Sequence, residues 1–247
     1  MRAPACVGSM RRTLGFLSLL FVLGGAVPAE AQAQRPQFRP AVLGSSPDSL
    51  INRIDVKELL KNGQKDGAVM FCALVDKSGA ATRSWTYRGM PGTQGLEQEV
   101  MKRLGGVKFT PPIYNYQPVS VLLFGTVVFT ASSTTHVRIL LNQEAKELVG
   151  ASDFISPQPV IGQGSKFDGL TPPDQGLAIP VTSVVDLRLK VSREGHLQDM
   201  LLVAEDSEGL GFGEAALRDF REAKFIPAFR DGDPTGCEIL LPICYKP

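Results

Sequence analysis

Val185–Val203 reads VDLRLKVSREGHLQDMLLV, and Val69–Tyr87, 116 residues earlier, reads VMFCALVDKSGAATRSWTY. Each is a strand, a turn carrying a glycine, and a returning strand. In the later stretch Leu187, Leu189 and Val191 alternate with Asp186, Arg188 and Lys190, the period of two that marks a strand with one wet face. The two stretches belong to a longer gapless overlay of Val69–Phe129 on Val185–Tyr245, in which eight of 61 positions are identical. That number is near background, so the weight falls on which positions match. Val69, Val75, Gly79, Gly95, Lys108, Phe109, Pro111 and Pro118 meet Val185, Val191, Gly195, Gly211, Lys224, Phe225, Pro227 and Pro234. Turn glycine, Lys-Phe-x-Pro corner and strand-opening proline are kept while packing residues vary, as in two copies of one small fold.

Working outward, both copies predict the same order. In the first, Ala68–Val75 and Ala81–Tyr87 form a hairpin. Gly89–Gly95 is a loop, and Leu96, Val100, Met101 and Leu104 stripe a helix that Gly105-Gly106 ends. Lys108–Pro112 makes a corner and Val119–Thr130 a long third strand. In the second, Phe212, Ala216, Leu217 and Phe220 stripe the helix, Phe225–Ala228 is the corner, and Cys237–Tyr245 closes the sheet. The fold class predicted is α+β: two tandem β-β-α-β modules, each a small antiparallel sheet with one main helix packed on one face. Ser49–Asn62 has the spacing of a further helix. Its counterpart before the second copy holds Pro172, Pro173 and Pro180, which no continuous helix tolerates.

The expected divisions are a signal peptide at 1–31, an irregular leader at 32–48, module 1 at 49–130, a partly structured linker at 131–166 and module 2 at 167–247. Arg11 and Arg12 precede Leu14–Val27, a charge-free apolar run of 14 residues, and Ala29-Glu30-Ala31 fits a small-x-small cleavage site. Cleavage predicts a mature start at Gln32 and a periplasmic location. The run is short of the roughly 20 residues of a spanning helix. Within the linker, His136–Leu141 reads as a strand, Gln143–Leu148 as a short helix and Ser156–Gly164 as loop.

The chain has 26 basic and 25 acidic side chains; losing residues 1–31 removes Arg2, Arg11, Arg12 and Glu30 and leaves 23 against 24. No basic stripe is left to hold a nucleic acid. Three cysteines follow the cleavage site: Cys72, Cys237 and Cys244. Cys237 and Cys244 lie roughly 23 Å apart on one extended strand, beyond the less than about 7 Å that a disulfide spans. They read as small buried hydrophobes, with a Cys72 pairing as the lesser alternative.

Reactive groups are sparse. His136 and His196 have no partners at metal-ligand spacing, and Ser165 and Ser192 lie in no nucleophile motif. Gly89–Gly95 and Gly209–Gly213 precede helices, but no Lys-Ser/Thr follows, so they read as loops and not phosphate cradles. Glu205, Asp206 and Glu208 read as a solvated acidic loop. The expectation is a protein that is not an enzyme and uses no cofactor, metal or small-molecule substrate.

Phe225–Pro234 (FIPAFRDGDP), with the Gly195 hairpin and the Phe212–Phe220 helix before it, resembles the C-terminal domain family of TonB. Leu59–Phe71 (LLKNGQKDGAVMF) and Phe109–Pro112 are similar to the opening and the corner of the same family, more weakly. The resemblance implies a periplasmic module that binds proteins by pairing a sheet edge with an extended partner segment, such as one from an outer-membrane receptor. The chain departs from an energy transducer in lacking a long Pro-rich spacer. About 17 residues separate the cleavage site from the first helix, a reach of at most about 60 Å. The alternatives are an anchored transducer component and a self-associating envelope protein.

The closing strands are the expected partner edges, with Val121, Leu122, Leu123, Phe124, Ile239, Leu240, Ile243 and Tyr245 as candidate contacts. In the first copy Met70, Cys72 and Leu74 make the second sheet face apolar, where the other copy has Asp186, Arg188 and Lys190. A buried face of about 300 Å² is worth roughly 7 kcal/mol, so the first copy must hide it against the second copy, another chain or a partner. It is the expected association module.

Overall fold

The computed structural model describes residues 35–149, 153–162, 164–173 and 180–246. The predicted signal peptide and the cleavage site lie outside the described residues.

The leader is not irregular throughout: it forms β1 (Phe38–Arg39). Two short helices follow, α1 (Leu50–Arg53) and α2 (Val56–Lys61), where the spacing predicted one. The break has a local cause. Ile54 is extended, and the Asp55 carboxylate accepts the Glu58 N–H, so an aspartate inside the apolar pattern starts a new helix. The hairpin comes next as β2 (Gly67–Val75) and β3 (Ala81–Tyr87), its turn tightened by Asp76, which accepts from Ser78 and Ala80 N–H. Helix α3 (Gln94–Leu104) buries Leu96, Val100 and Leu104, and Gly106 at φ +80° ends it. A ribbon of β4 (Ile113–Tyr114) and β5 (Gln117–Pro118) pairs with β1, and β6 (Ser120–Phe129) runs back beside β2.

The linker holds β7 (Val137–Leu140), α4 (Ala145–Leu148) and β8 (Gln158–Ile161), the last inside the stretch expected to be loop. The C-terminal half is β9 (Ser183–Val191), β10 (Leu197–Glu205), α5 (Phe212–Phe220), β11 (Phe225–Ile226), β12 (Ala228–Arg230), β13 (Asp233–Thr235) and β14 (Cys237–Tyr245). All described strand pairs are antiparallel. The larger sheet has the order β3-β2-β6-β8-β11, with β7 also on β6; the smaller is β10-β9-β14. The architecture is α+β. Residues Arg35–Pro247 form one compact unit, so the two halves are not separate bodies.

Two apolar cores share the larger sheet. One lies between its α3 side and α1, α2 and the leader, with Phe71, Val75, Leu96, Leu104 and Phe129 at its centre. The other joins the opposite side of that sheet to the interior of the C-terminal half, between β9, β14 and α5. The leader is held by backbone pairing of β1 with β4 and of Leu43 with Phe109, and by one side chain. The Gln158 amide accepts from Ala41 N–H and donates to Ala41 C=O, both at 2.8 Å, in the manner of a strand partner.

The glycine and corner that match between the halves touch each other in both. Phe109 N–H donates to Gly79 O at 2.7 Å, and Phe225 N–H donates to Gly195 O at 2.9 Å. Gly79 (φ +88°) and Gly195 (φ +80°) lie so close that a β-carbon at either would enter the carbonyl oxygen of Phe109 or Phe225. The turn needs glycine for its backbone angle, and the corner needs it for space.

Gly195→Ala is therefore expected to cost more than about 2 kcal/mol, read from the urea midpoint. Gly232→Ala has the same positive φ but open space around it and is expected to cost only about 1 kcal/mol. Equal costs would show that the corner contact contributes nothing.

Candidate functional site

The second face of the larger sheet carries Cys72, Trp85, Tyr87, Leu122 and Phe124, all buried in the same core as Val185, Phe212 and Tyr245 of the C-terminal half. What hides this face is therefore the second half of the same chain. Successive residues of β6 alternate between the cores: Val121 and Leu123 join the first, Leu122 and Phe124 the second. All four are buried, and β6 is interior, with β2 on one side and β7 and β8 on the other. Gln143 lies over the seam of β2 and β6, donating to Phe71 O and Gly125 O. These four expected partner contacts are core residues, and their strand is paired with β2 throughout and with β8 and β7 at its two ends.

Strand β14 differs. It ends the smaller sheet and pairs with β9 over nine residues without a register shift. The other two long edge strands are blunted: β10 slips against β9 at two places and β3 against β2 at one. Such bulges discourage strand addition. Ile239, Ile243 and Tyr245 turn into the core, and Leu240 is half-buried. So the side chains proposed from sequence on this strand serve packing, and what remains to meet a partner is the outer backbone.

That outer backbone is met by side chains of the N-terminal half. Leu240 N–H donates to Glu144 at 2.9 Å, and Pro242 C=O accepts from the Tyr87 hydroxyl at 3.0 Å. Pro242 has no N–H to leave unpaired, a common device on edge strands. Gln143 fixes Tyr87 through a bond to its hydroxyl and another to Phe71 O. The linker thus covers both closing strands, with strands on β6 and with a side-chain cap on β14. Sequence reading missed Glu144, Tyr87 and Pro242; only the proline carried a visible signal.

Charge ties the halves together beside this edge. Arg88 donates to both carboxylate oxygens of Asp186, at 2.7 and 3.1 Å, and lies 3.7 Å from Asp206. Burial opposes the Arg88 charge, but the Asp186 bond and charge outweigh it and hold its pKa above the usual value. Glu205 accepts from Gly213 N–H at the start of α5. The acidic loop is thereby resolved into a helix cap and an inter-half ion pair, and the start of α5 is occupied from within. Arg88→Ala is expected to lower stability by about 1–3 kcal/mol, with faster amide exchange along β3 and β9 as the check.

Cys72, Cys237 and Cys244 are free thiols. Burial pushes the Cys72 pKa well up, and nearby Cys244 adds to the rise. Burial takes Cys237 and Cys244 to about 11, and it raises Tyr87 and Tyr245 above the ordinary phenol value. An acid whose folded pKa exceeds its unfolded one keeps its proton longer when folded, so folding weakens as pH rises through that interval. Stability is expected to be flat below the ordinary thiol value of 9.0 and to fall from there toward 11, in urea titrations at stepped pH. Cys237→Ser with Cys244→Ser should make the fall shallower.

No helix of the described residues is long and apolar enough to cross a membrane. Residues 178–247, which span β9 to β14, match the family of the Gram-negative bacterial TonB protein C-terminal. No curated protein and no solved structure matches the chain.

Proposed function

We propose that the chain is an exported periplasmic protein of two TonB-C-terminal-like modules, and that it binds partner proteins by strand pairing at the outer edge of β14. One observation carries the reading: within the matched stretch, β14 is a nine-residue edge in unbroken register. Its outward groups are held by two side-chain bonds and not by another strand. Each such bond contributes about 0.5–1.5 kcal/mol net, less than a ladder of backbone bonds from an incoming segment. The family's periplasmic setting and the predicted signal peptide support export. The first module serves as scaffold: its sheet face and closing strand are both engaged within the chain.

The test is a photo-crosslinking residue in place of Glu238, an exposed position at the open end of β14, used in living cells. Trapping the N-terminal segment of an outer-membrane receptor, with a higher yield when Glu144→Ala removes the cap, is the expected outcome. Crosslinks only to residues 143–148 of the same chain, unchanged by Glu144→Ala, would mean the edge is permanently closed and would sink the reading.

A further inference from the structure

A cavity of about 370 Å³ between α2 and α3 is lined by Asp55, Glu58, Glu99 and Lys102. Its carboxylates are engaged: Asp55 caps Glu58 N–H, Glu58 accepts from Asn62, and Glu99 accepts from Asp55 N–H and Arg103. A smaller cleft where the halves meet is different. It has a volume of about 140 Å³ and is walled by Leu74, Trp85, Leu122, Leu170, Cys244 and Tyr245. Arg83, Asp168 and Lys246 stand on the same cleft.

The charged groups here form no ion pair among the described residues. Trp85 is 7% exposed, yet its indole Nε1 meets no acceptor among the described residues. The Arg83 guanidinium lies 5.5 Å over the Trp85 ring, while neither Arg83 nor Asp168 pairs with an opposite charge among the described residues. Among the described residues Lys246 donates to Thr86 C=O, at 3.4 Å, and pairs with no carboxylate. By contrast, the Arg88 to Asp186 tie between the halves is a matched ion pair. An apolar slot with two unmatched cations and one unmatched carboxylate is a set of partners in search of a ligand.

The volume is below the 300 Å³ or more of usual small-molecule and cofactor pockets and suits one side chain. The geometry points to this cleft as the seat of a partner protein's C-terminal residue, an apolar one. That residue alone combines a side chain for the slot, a carboxylate for Arg83 and Lys246, and a main-chain N–H for Asp168. The proposal rests on the protein-binding reading only in naming a peptide. It shares no residue with the crosslinking test at Glu238, so either can fail alone.

Trp85 is the only tryptophan of the chain, so its indole N–H gives one resonance in the ¹H–¹⁵N spectrum. The labelled protein is titrated with acetyl-Gly-Leu bearing a free carboxylate, with its C-terminal amide, and with free leucine. The expected result is a saturable shift with the first, weaker by about five-fold or more with the amide and in Arg83→Ala. Arg83 is exposed on an edge strand, so its replacement leaves the fold intact, and an unchanged amide spectrum elsewhere verifies this. No shift at low-millimolar peptide, or equal binding of acid and amide, overturns the proposal. Binding of free leucine without acetyl-Gly-Leu also overturns it, because the ligand is then a small molecule.

Discussion

A three-stranded sheet that is apolar on both faces cannot stand in water with a single helix on it, and the rest of the structure follows from that. Strands β2, β3 and β6 send Phe71, Val75 and Leu123 to one core and Cys72, Trp85 and Phe124 to the other. One helix layer satisfies only the first. The C-terminal half supplies the second layer, and in doing so joins two sheets into one body. The smaller sheet has no matching need. Its outward positions Arg188 and Lys190 are exposed, so it keeps a wet face.

The same asymmetry governs the edges. A closing strand with unpaired backbone groups is an invitation to any extended segment. On β6 the linker answers with backbone, through β7 and β8, which makes that edge part of the sheet. On β14 it answers with Glu144, helped by Tyr87, which satisfies single groups and leaves the strand terminal. The two treatments leave β6 inside its sheet and β14 the last strand of its own.

How much of this could be read from the chain depended on whether the cause was local. Gly79 and Gly195, with the corners at Phe109 and Phe225, were legible because backbone angle and crowding at those points admit few residues. Hairpin and helix limits followed within a residue or two. The break between α1 and α2 was missed because Asp55 overrides an apolar spacing that continues across it. Strand β8 was missed because four residues that include Pro159 acquire strand geometry only by pairing with β6 and β11, distant in sequence. The candidate contacts on β6 came from a correct view of its two apolar faces. Which surface covers them is a property of the assembled halves, and no single stretch encodes it.

The Gln158 clasp on Ala41 has a mechanical meaning. Strand β8, which carries Gln158, is bonded to β6 on one side and to β11 on the other. Tension on the chain ahead of Ala41 would meet the pairing of β1 with β4 first. The Gln158 clasp stands behind it, on a strand shared between the N-terminal sheet and the corner of the C-terminal half. The leader is in this sense a tether with two successive fastenings, the second of them at the seam.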